Sequence, residues 1–299
     1  MNEPRRVEYK PVEGRKTDKG YVPVYTTAVV EQPADYPAVD HDTWGKLYQR
    51  QRELLVGRAC QEFLQAQDAM GMTPHHIPRF DELNEVLGKT TGWNLIGVEG
   101  LLPELEFFDH LANRRFPVTW WIRRPEQIDY IAEPDLFHDL FGHVPLLMNP
   151  VFADYMEAYG RGGVKAHGVG ADALQHLTRL YWYTVEFGLI NTPEGLRIYG
   201  AGIVSSKGES LYSLESPAPN RIGFDLERIM RTRYRIDTYQ KTYFVIDSFE
   251  QLMDATAPDF TPIYARLDEQ EAIPAGDVLE SDRVYTHGTG EGWAQDGDV

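Results

Sequence analysis

Two histidines lie close together in the segment PDLFHDLFGHVP, and their ring nitrogens are potential metal ligands. His138 and His143 are five residues apart, which on a regular helix is a rotation of about 140° rather than the shared face of an i, i+4 pair. Gly142 and Pro145 predict that the helix ends here, so that His143 turns back toward His138. The pair favours a metal site, and the open alternative is two polar residues with local hydrogen bonds at a helix end.

A third ligand is offered by Glu186, which lies in the apolar and aromatic segment TRLYWYTVEFG. A carboxylate buried alone costs several kcal/mol unless a cation or a proton meets it. Two imidazoles and one carboxylate, with coordination positions left open, form the facial triad of non-haem iron(II) oxygenases. The alternative is an ion pair between Glu186 and a cation such as Arg179. The H-x4-H spacing differs from the H-E-x-x-H of zinc proteases, so iron is favoured over zinc.

The elements that must position these residues are mostly helical. Apolar periodicity predicts one long helix from about residue 42 to residue 71. Further helices are predicted in FDELNEVLGKTTG, LPELEFFDHLANRR, DLFHDLFGH, NPVFADYMEAYGRGG, ADALQHLTRLYWYTVEFGL, DLERIMRTRYR and SFEQLMDATAPDF. FPVTWWI and TYFVID are typical of strands, and RIYGAGIVSS is typical of a hairpin. We therefore predict a mostly α fold with a few short β-strands and a single catalytic domain.

Composition divides the chain into three parts. Residues 1–40 mix charges with proline and glycine and are predicted to be a loosely ordered N-terminal arm. Residues 41–270 are predicted to be the catalytic domain. Residues 271–299 are predicted to be a solvated acidic tail, because from residue 254 onward the chain has eleven Asp or Glu and only two Arg.

Charge and cysteine content exclude several classes of partner. The formal net charge of −17 argues against nucleic acid or an anionic membrane surface as the main partner. Cys60 is the only cysteine, so no intramolecular disulfide can form, which is typical of a reducing compartment. The N-terminal sequence has no apolar signal segment, and no run of about 18 apolar residues occurs. We expect a cytoplasmic protein that acts on small molecules.

Three runs carry a resemblance to a known family. PDLFHDLFGHVPLL, YWYTVEFGL and IYGAGIVSS resemble the catalytic domain of the pterin-dependent aromatic amino acid hydroxylases, and the similarity extends over about residues 44–260. It is stronger to the short bacterial phenylalanine hydroxylases, through HLANRRFPVTWWIR and NPVFADYMEAYG. The resemblance implies that His138, His143 and Glu186 hold Fe(II).

The same resemblance implies a binding site for an amino acid. Arg123 would hold the carboxylate of the substrate, and Asp135 would orient Arg123. Asp135 can also serve as a helix N-cap beside Pro134. Further substrate-binding positions implied by the resemblance are the pocket walls Trp182 and Phe187 and the loop residues Gly202 and Ser205. Without the resemblance, the loop residues would suit a tight hairpin and the two aromatics would suit the core.

A tetrahydropterin site is also implied, in the segment GVEGLL and the helix that follows it. The ring of Phe107 would stack on the pterin, while backbone groups of Gly100, Leu101 and Leu102 would bind its amide edge. Asp139 lies where the family usually has Glu, and its shorter side chain would reach the pterin through water. Without the resemblance, this segment could be any loop that precedes a helix.

The activity implied by the resemblance is that of a phenylalanine 4-monooxygenase, which converts L-phenylalanine to L-tyrosine with O2 and a tetrahydropterin at a mononuclear Fe(II) site. Val245 stands where tyrosine-hydroxylating relatives tend to carry an acid, so phenylalanine is the expected substrate. Tyrosine or tryptophan hydroxylation is the alternative within the family, and a zinc-dependent hydrolase is the alternative from another class. The sequence shows neither a regulatory domain nor a tetramerising heptad helix, which predicts a monomer or a weak dimer.

Overall fold

A computed structural model describes the backbone of Arg6–Val7 and the whole of residues 29–293. Helices dominate this part of the chain, which confirms the predicted mostly α fold. The α-helices are α1 Ala38–Leu55, α2 Gln61–Ala69, α3 Phe80–Thr90, α4 Glu104–Ala112, α5 Pro150–Val169, α6 Ala171–Tyr181, α7 Ala201–Val204, α8 Lys207–Glu215, α9 Leu226–Arg231, α10 Phe249–Thr256 and α11 Thr261–Leu267. Among them, no helix is long and apolar enough to cross a membrane.

Short strands form two sheets beside the helices. The strands are β1 Arg6–Val7, β2 Val29–Val30, β3 Asn94–Val98, β4 Arg115–Thr119, β5 Leu189–Thr192, β6 Gly195–Ile198, β7 Asn220–Gly223, β8 Thr242–Ile246 and β9 Val284–Thr286. The first sheet has the order β1-β2-β3-β4, and the second has the order β6-β5-β8-β7-β9. In the second sheet, the central strand β8 is parallel to both of its neighbours.

Helix α5 is the long helix against which α4 packs. It begins cleanly because the Asn149 side chain accepts hydrogen bonds from the backbone N–H groups of Val151 and Phe152. Two glycines on α5 allow close approach, since a Cβ at Gly160 would lie 2.3 Å from the backbone nitrogen of Ala112, and one at Gly163 would meet the ring of Phe108. This packing fixes α4, and with it one wall of the cavity described below.

The long helix predicted over residues 42–71 is instead two helices, α1 and α2. The break contains Gly57, whose φ of +74° favours glycine. It is also tied to β6, because Cys60 N donates to the Ile198 carbonyl and Ile198 N donates to the Arg58 carbonyl. The prediction of a hairpin in RIYGAGIVSS was wrong, because only Arg197 and Ile198 belong to a strand, β6, which pairs with the preceding β5, and the chain then enters helix α7.

Both predicted ends of the chain differ from expectation within the described residues. Residues 1–5 and 8–28 of the predicted arm lie outside them, but residues 29–30 are buried as strand β2, which pairs with Gly97 of β3. The hydroxyl of Tyr36 donates to the Trp120 carbonyl at 2.7 Å. The described end of the arm is therefore part of the fold rather than loose.

The predicted solvated tail does not hold for residues 271–293, and residues 294–299 lie outside the described part. Ile273 and Ala275 are buried, and strand β9 pairs with β7. Asp282 forms an ion pair with the buried guanidinium of Arg228 at 3.1 Å. The acidic composition was misleading because one acid has a buried cationic partner and two apolar residues of the segment, Ile273 and Ala275, are buried.

Candidate active site

Two π-helical turns bring the predicted metal ligands together. His138–His143 forms one, and Trp182–Glu186 forms the other, where Phe187 N donates to the Trp182 carbonyl at 2.9 Å. In a π-helix the backbone pairs residues five apart, so two histidines at that spacing lie on the same side. The predicted helix end at Gly142 was therefore wrong, since the widened turn provides the convergence instead.

The three ligand side chains meet at one point. The two histidine Nε2 atoms are 3.0 Å apart, and the Glu186 carboxylate oxygens lie 3.1 Å from His143 Nε2 and 3.6 Å from His138 Nε2. Three donors placed at right angles about 2.1 Å from one metal ion lie about 3.0 Å from one another. The arrangement therefore fits one face of an octahedral ion. Arg179, the alternative partner of Glu186, donates instead to the Met230 carbonyl.

The protonation states of His138 and Glu186 suit a cation. Burial lowers the pKa of His138 to about 4, which keeps its imidazole neutral. Burial alone would raise the pKa of Glu186, but His143, His138 and the backbone N–H of Gly202 outweigh it and lower that pKa. A neutral imidazole and an ionised carboxylate are the forms that bind metals.

Ser205 holds the first histidine ligand in its orientation. Its hydroxyl donates to the Ala201 carbonyl at 2.8 Å, so its oxygen accepts from His138 Nδ1 at 2.9 Å. With the proton on Nδ1, the Nε2 lone pair of His138 faces His143 and Glu186. Ser205 was predicted to bind substrate, and the structure gives it a contact with His138, a predicted metal ligand.

Gln67 supports the first π-helical turn from outside. The Phe141 carbonyl has no i+4 donor, because that residue is Pro145. The buried Gln67 side chain on α2 supplies a donor instead, because its Nε2 donates to the Phe141 carbonyl at 3.3 Å. Arg52 in turn donates to Gln67 Oε1. Gln67 was not among the residues predicted from the sequence. Its one signal is that Gln67 follows Phe63 by four residues on the apolar stripe of α2.

On the substrate side, Arg123 and Asp135 form a buried pair. The Asp135 carboxylate accepts hydrogen bonds from Arg123 Nε at 2.9 Å and Nη2 at 2.8 Å. The Nη1 amino group of the guanidinium therefore remains available to bind another anion. Asp135 also accepts from the backbone N–H of His138 at 3.1 Å. One carboxylate thus orients the arginine and caps the turn that carries the first ligand.

Three other predicted substrate residues cluster around Glu186. Trp182 is the first residue of the second π-helical turn and Phe187 follows its last residue, with ring centroids 4.7 Å apart. Gly202 lies against both Phe187 and Glu186, since a Cβ there would be 2.8 Å from the Phe187 ring and 3.2 Å from a Glu186 carboxylate oxygen. A side chain at position 202 would therefore displace the carboxylate ligand.

A cavity of about 250 Å³ opens beside the three ligands. Every residue predicted to bind the pterin lines it: Gly100, Leu101, Leu102, Phe107 and Asp139. Its walls are mainly apolar, as is typical of ligand pockets. The sequence had separated these residues into a loop, a helix and a turn, and the fold brings them to the same cavity as the ligands.

Asp139 lies at the boundary between the cavity and the histidines. Its Oδ2 accepts from the backbone N–H of Thr119 at 2.7 Å, and burial raises the pKa of its carboxyl to about 7. A carboxylate oxygen of Asp139 lies within 4.8 Å of the ring nitrogens of His138 and His143. The carboxylate oxygens of Glu186 lie closer to these nitrogens. Glu186 is therefore the better third ligand. Thr119, which fixes Asp139, carried no signal in the sequence.

Comparisons with known proteins agree with one another. A family model described as "Biopterin-dependent aromatic amino acid hydroxylase" matches residues 24–262. The phenylalanine-4-hydroxylase of Ralstonia nicotianae is 65% identical over 271 residues, which are 90% of this chain and 86% of that protein. An iron- and phenylalanine-bound crystal structure of the Chromobacterium violaceum phenylalanine hydroxylase aligns with a TM-score of 0.82 at 62% identity, covering 86% of this chain and 93% of that one. Another structure of that protein, with iron(III) and 7,8-dihydrobiopterin, aligns equally well, covering 86% and 92%.

Proposed function

This chain belongs to the family of biopterin-dependent aromatic amino acid hydroxylases, and we propose that it is a phenylalanine 4-monooxygenase. It converts L-phenylalanine to L-tyrosine with O2 and a tetrahydropterin, at one non-haem Fe(II) ion. The observation that carries the proposal is the convergence of His138, His143 and Glu186 at 3.0–3.6 Å beside an apolar cavity. A two-histidine, one-carboxylate set with open positions is the iron site of such oxygenases.

The chemistry divides between bound groups and protein. Fe(II) and the reduced pterin would together supply the activation of O2. The side chains of the protein hold the reactants in place and exclude water from a buried centre. Ser205 keeps His138 in the tautomer that can bind the metal, and the fork of Arg123, oriented by Asp135, takes the carboxylate of the amino acid.

The pterin is proposed to occupy the cavity on the Phe107 side. Support comes from the mainly apolar lining and from the aromatic ring of Phe107, which packs edge-on against Tyr181 at 5.6 Å and can present a face to a bicyclic ligand. Backbone groups of Gly100–Leu102 are the proposed partners of its amide edge. Asp139 is the proposed polar contact between the pterin and the metal side.

Substrate preference for phenylalanine is proposed from the apolar surroundings. Val245 is fully buried on β8, paired with Leu189, which follows Phe187 and Gly188 in the chain. An apolar wall offers no partner for a phenol, and an unpaired buried hydroxyl costs about 1–3 kcal/mol, or roughly five- to over a hundredfold in discrimination. Residues 41–270 remain the proposed catalytic domain, with described residues on either side packed onto it.

Turnover by the purified protein tests this function. The assay supplies Fe(II), a tetrahydropterin and one aromatic amino acid at a time, and chromatography identifies the product. We expect tyrosine from phenylalanine, with kcat/KM well above the values for hydroxylation of tyrosine or tryptophan. Equal turnover of tyrosine would contradict the proposed preference for phenylalanine but not the proposed hydroxylation reaction. Pterin-independent hydrolytic activity with zinc would contradict both the substrate and the reaction.

A further inference from the structure

A buried amide lies behind one proposed wall of the substrate pocket. The indole Nε1 of Trp182 donates to Gln240 Oε1 at 2.9 Å, and Gln240 is only 2% exposed. The Nε2 of Gln240 donates to the carbonyls of Arg235 at 2.8 Å and Thr238 at 3.4 Å. Because the amino group faces two carbonyls, the carbonyl end of the amide must face the indole, so its orientation is fixed.

The indole packs against two other aromatic rings. Its centroid lies 4.4 Å from that of Tyr234 in a near-parallel stack, and 4.7 Å from that of Phe187. Stacked rings limit tilt but leave rotation within the ring plane weakly restrained. The hydrogen bond to Gln240 is directional and restrains that remaining rotation.

Gln240 is itself anchored to the second sheet. Its backbone N–H donates to Glu209 Oε1 at 3.3 Å, and the hydroxyl of Tyr243 on β8 donates to the same oxygen. Glu209 and Tyr243 are both buried. A continuous set of hydrogen bonds therefore leads from β8, through Glu209 and Gln240, to the first residue of the π-helical turn that ends at Glu186.

We propose that Gln240 is a positioning residue for the amino acid substrate, acting through the Trp182 indole. This rests on the proposed function, because the role of Trp182 as a pocket wall is implied by the resemblance to the hydroxylase family. Without the amide carbonyl, the indole N–H loses its partner and the ring changes its angle beside Glu186. The substrate ring is then held less firmly next to the metal, so that binding weakens and some pterin is oxidised without forming tyrosine.

The first test uses Gln240→Leu, Trp182→Phe and the double variant. We expect Gln240→Leu to raise the KM for phenylalanine about two- to tenfold, as for one lost buried hydrogen bond, with the KM for the pterin changed less than about twofold. Tyrosine formed per pterin oxidised should fall. In the Trp182→Phe background, which has no indole N–H, Gln240→Leu should add little further effect. Equal effects in both backgrounds would show that Gln240 acts independently of Trp182 and would overturn the proposal.

Asn220→Leu is the matched control. Asn220 is another buried amide, on β7, and its Nδ2 donates to Thr242 Oγ1 and to the Gly276 carbonyl rather than contacting the indole. Its loss should lower the melting temperature while leaving the KM for phenylalanine and the ratio of tyrosine to oxidised pterin unchanged. If Asn220→Leu changed these two quantities as Gln240→Leu does, the effect would reflect general destabilisation, and the proposal would fail.

A spectroscopic test separates this inference from the proposed function. In protein labelled with ¹⁵N-tryptophan, the indole N–H resonance of Trp182 is identified by its loss in Trp182→Phe. Gln240→Leu should shift that resonance upfield, and Asn220→Leu should not. If Gln240→Leu left the resonance unmoved, the contact between Gln240 and the indole would be overturned, even if the wild type hydroxylates phenylalanine. If the resonance shifted but the wild type did not hydroxylate phenylalanine, only the proposed function would be contradicted.

Discussion

The two sides of the cavity are built differently. On the metal side, the proposed ligands lie on two π-helical turns, and the turn that carries both histidines is held by the side chains of Asp135, Ser205 and Gln67. On the other side, three of the five proposed pterin contacts, Gly100, Leu101 and Leu102, come from the short link between β3 and α4, where Leu101 is 77% exposed. The histidine turn is thus held in place by several buried side chains, whereas this link presents mainly backbone groups and one exposed side chain to the proposed pterin. Substitutions should therefore have large effects on the first side and small effects on the second.

The largest effect is expected for Glu186→Ala. This change removes a direct ligand, and loss of a residue that merely supports a ligand already costs roughly 10- to 100-fold in metal affinity. We expect a decrease of more than about 100-fold in Fe(II) or Co(II) affinity, with the fold retained. Metal content after dialysis measures this, and Glu194→Ala, an exposed acid on the β5–β6 turn, is the control. Unchanged metal stoichiometry in Glu186→Ala would contradict the proposed triad.

The next largest effect is expected for Arg123→Lys. The lysine keeps the charge but loses the planar fork that both Asp135 and the substrate carboxylate require. Losing a charged bidentate contact costs about 1.5–3 kcal/mol, so the KM for phenylalanine should rise roughly ten- to over a hundredfold. Steady-state kinetics on each substrate in turn check this, with the exposed neighbour Arg124→Lys as control. An equal rise in the KM for the pterin would make Arg123 a structural residue.

A smaller effect on the metal side is expected for Gln67→Leu. The substitution removes the side-chain donor to the Phe141 carbonyl, and Pro145 has no N–H that could replace it. The turn that joins the two histidines is then held less firmly. We expect metal affinity to fall about tenfold, the low end for loss of a supporting residue. Titration with Co(II) measures it, and Gln65→Leu, an exposed site on the same helix, should leave the affinity unchanged. If both variants behaved alike, the claim of preorganisation by Gln67 would be lost.

The smallest effect is expected for Leu101→Ala on the pterin side. Because most of this side chain faces solvent, its truncation removes little contact area from the cavity. The KM for the pterin should change by less than about twofold, since surface substitutions usually stay within about 0.5 kcal/mol. Phe107→Ala, which removes the proposed stacking ring, should change it more. A tenfold change in Leu101→Ala would break the comparison between the two sides.

The chemistry of the residues made the proposed metal ligands predictable from the sequence. The residues that hold those ligands in place could not be predicted in this way. His138, His143 and Glu186 could be selected because an acid in an apolar segment requires a partner. The π-helical turns could not be predicted, because apolar periodicity does not reveal a turn widened by one residue. Gln67 and Gln240 contact groups more than fifty residues away, so the local sequence does not reveal these partners. The described end of the acidic segment was mispredicted for the same reason, since Asp282 has its partner at Arg228.

Strand β9 has a consequence for self-association. It lies at the edge of the second sheet, where it pairs with β7, whose four residues Asn220–Gly223 are all buried. Without β9, that inner strand would present its backbone N–H and C=O groups to solvent, and an unpaired edge is a template for another chain. The C-terminal segment thus caps the sheet, so its loss would promote aggregation before it affected any group at the metal site.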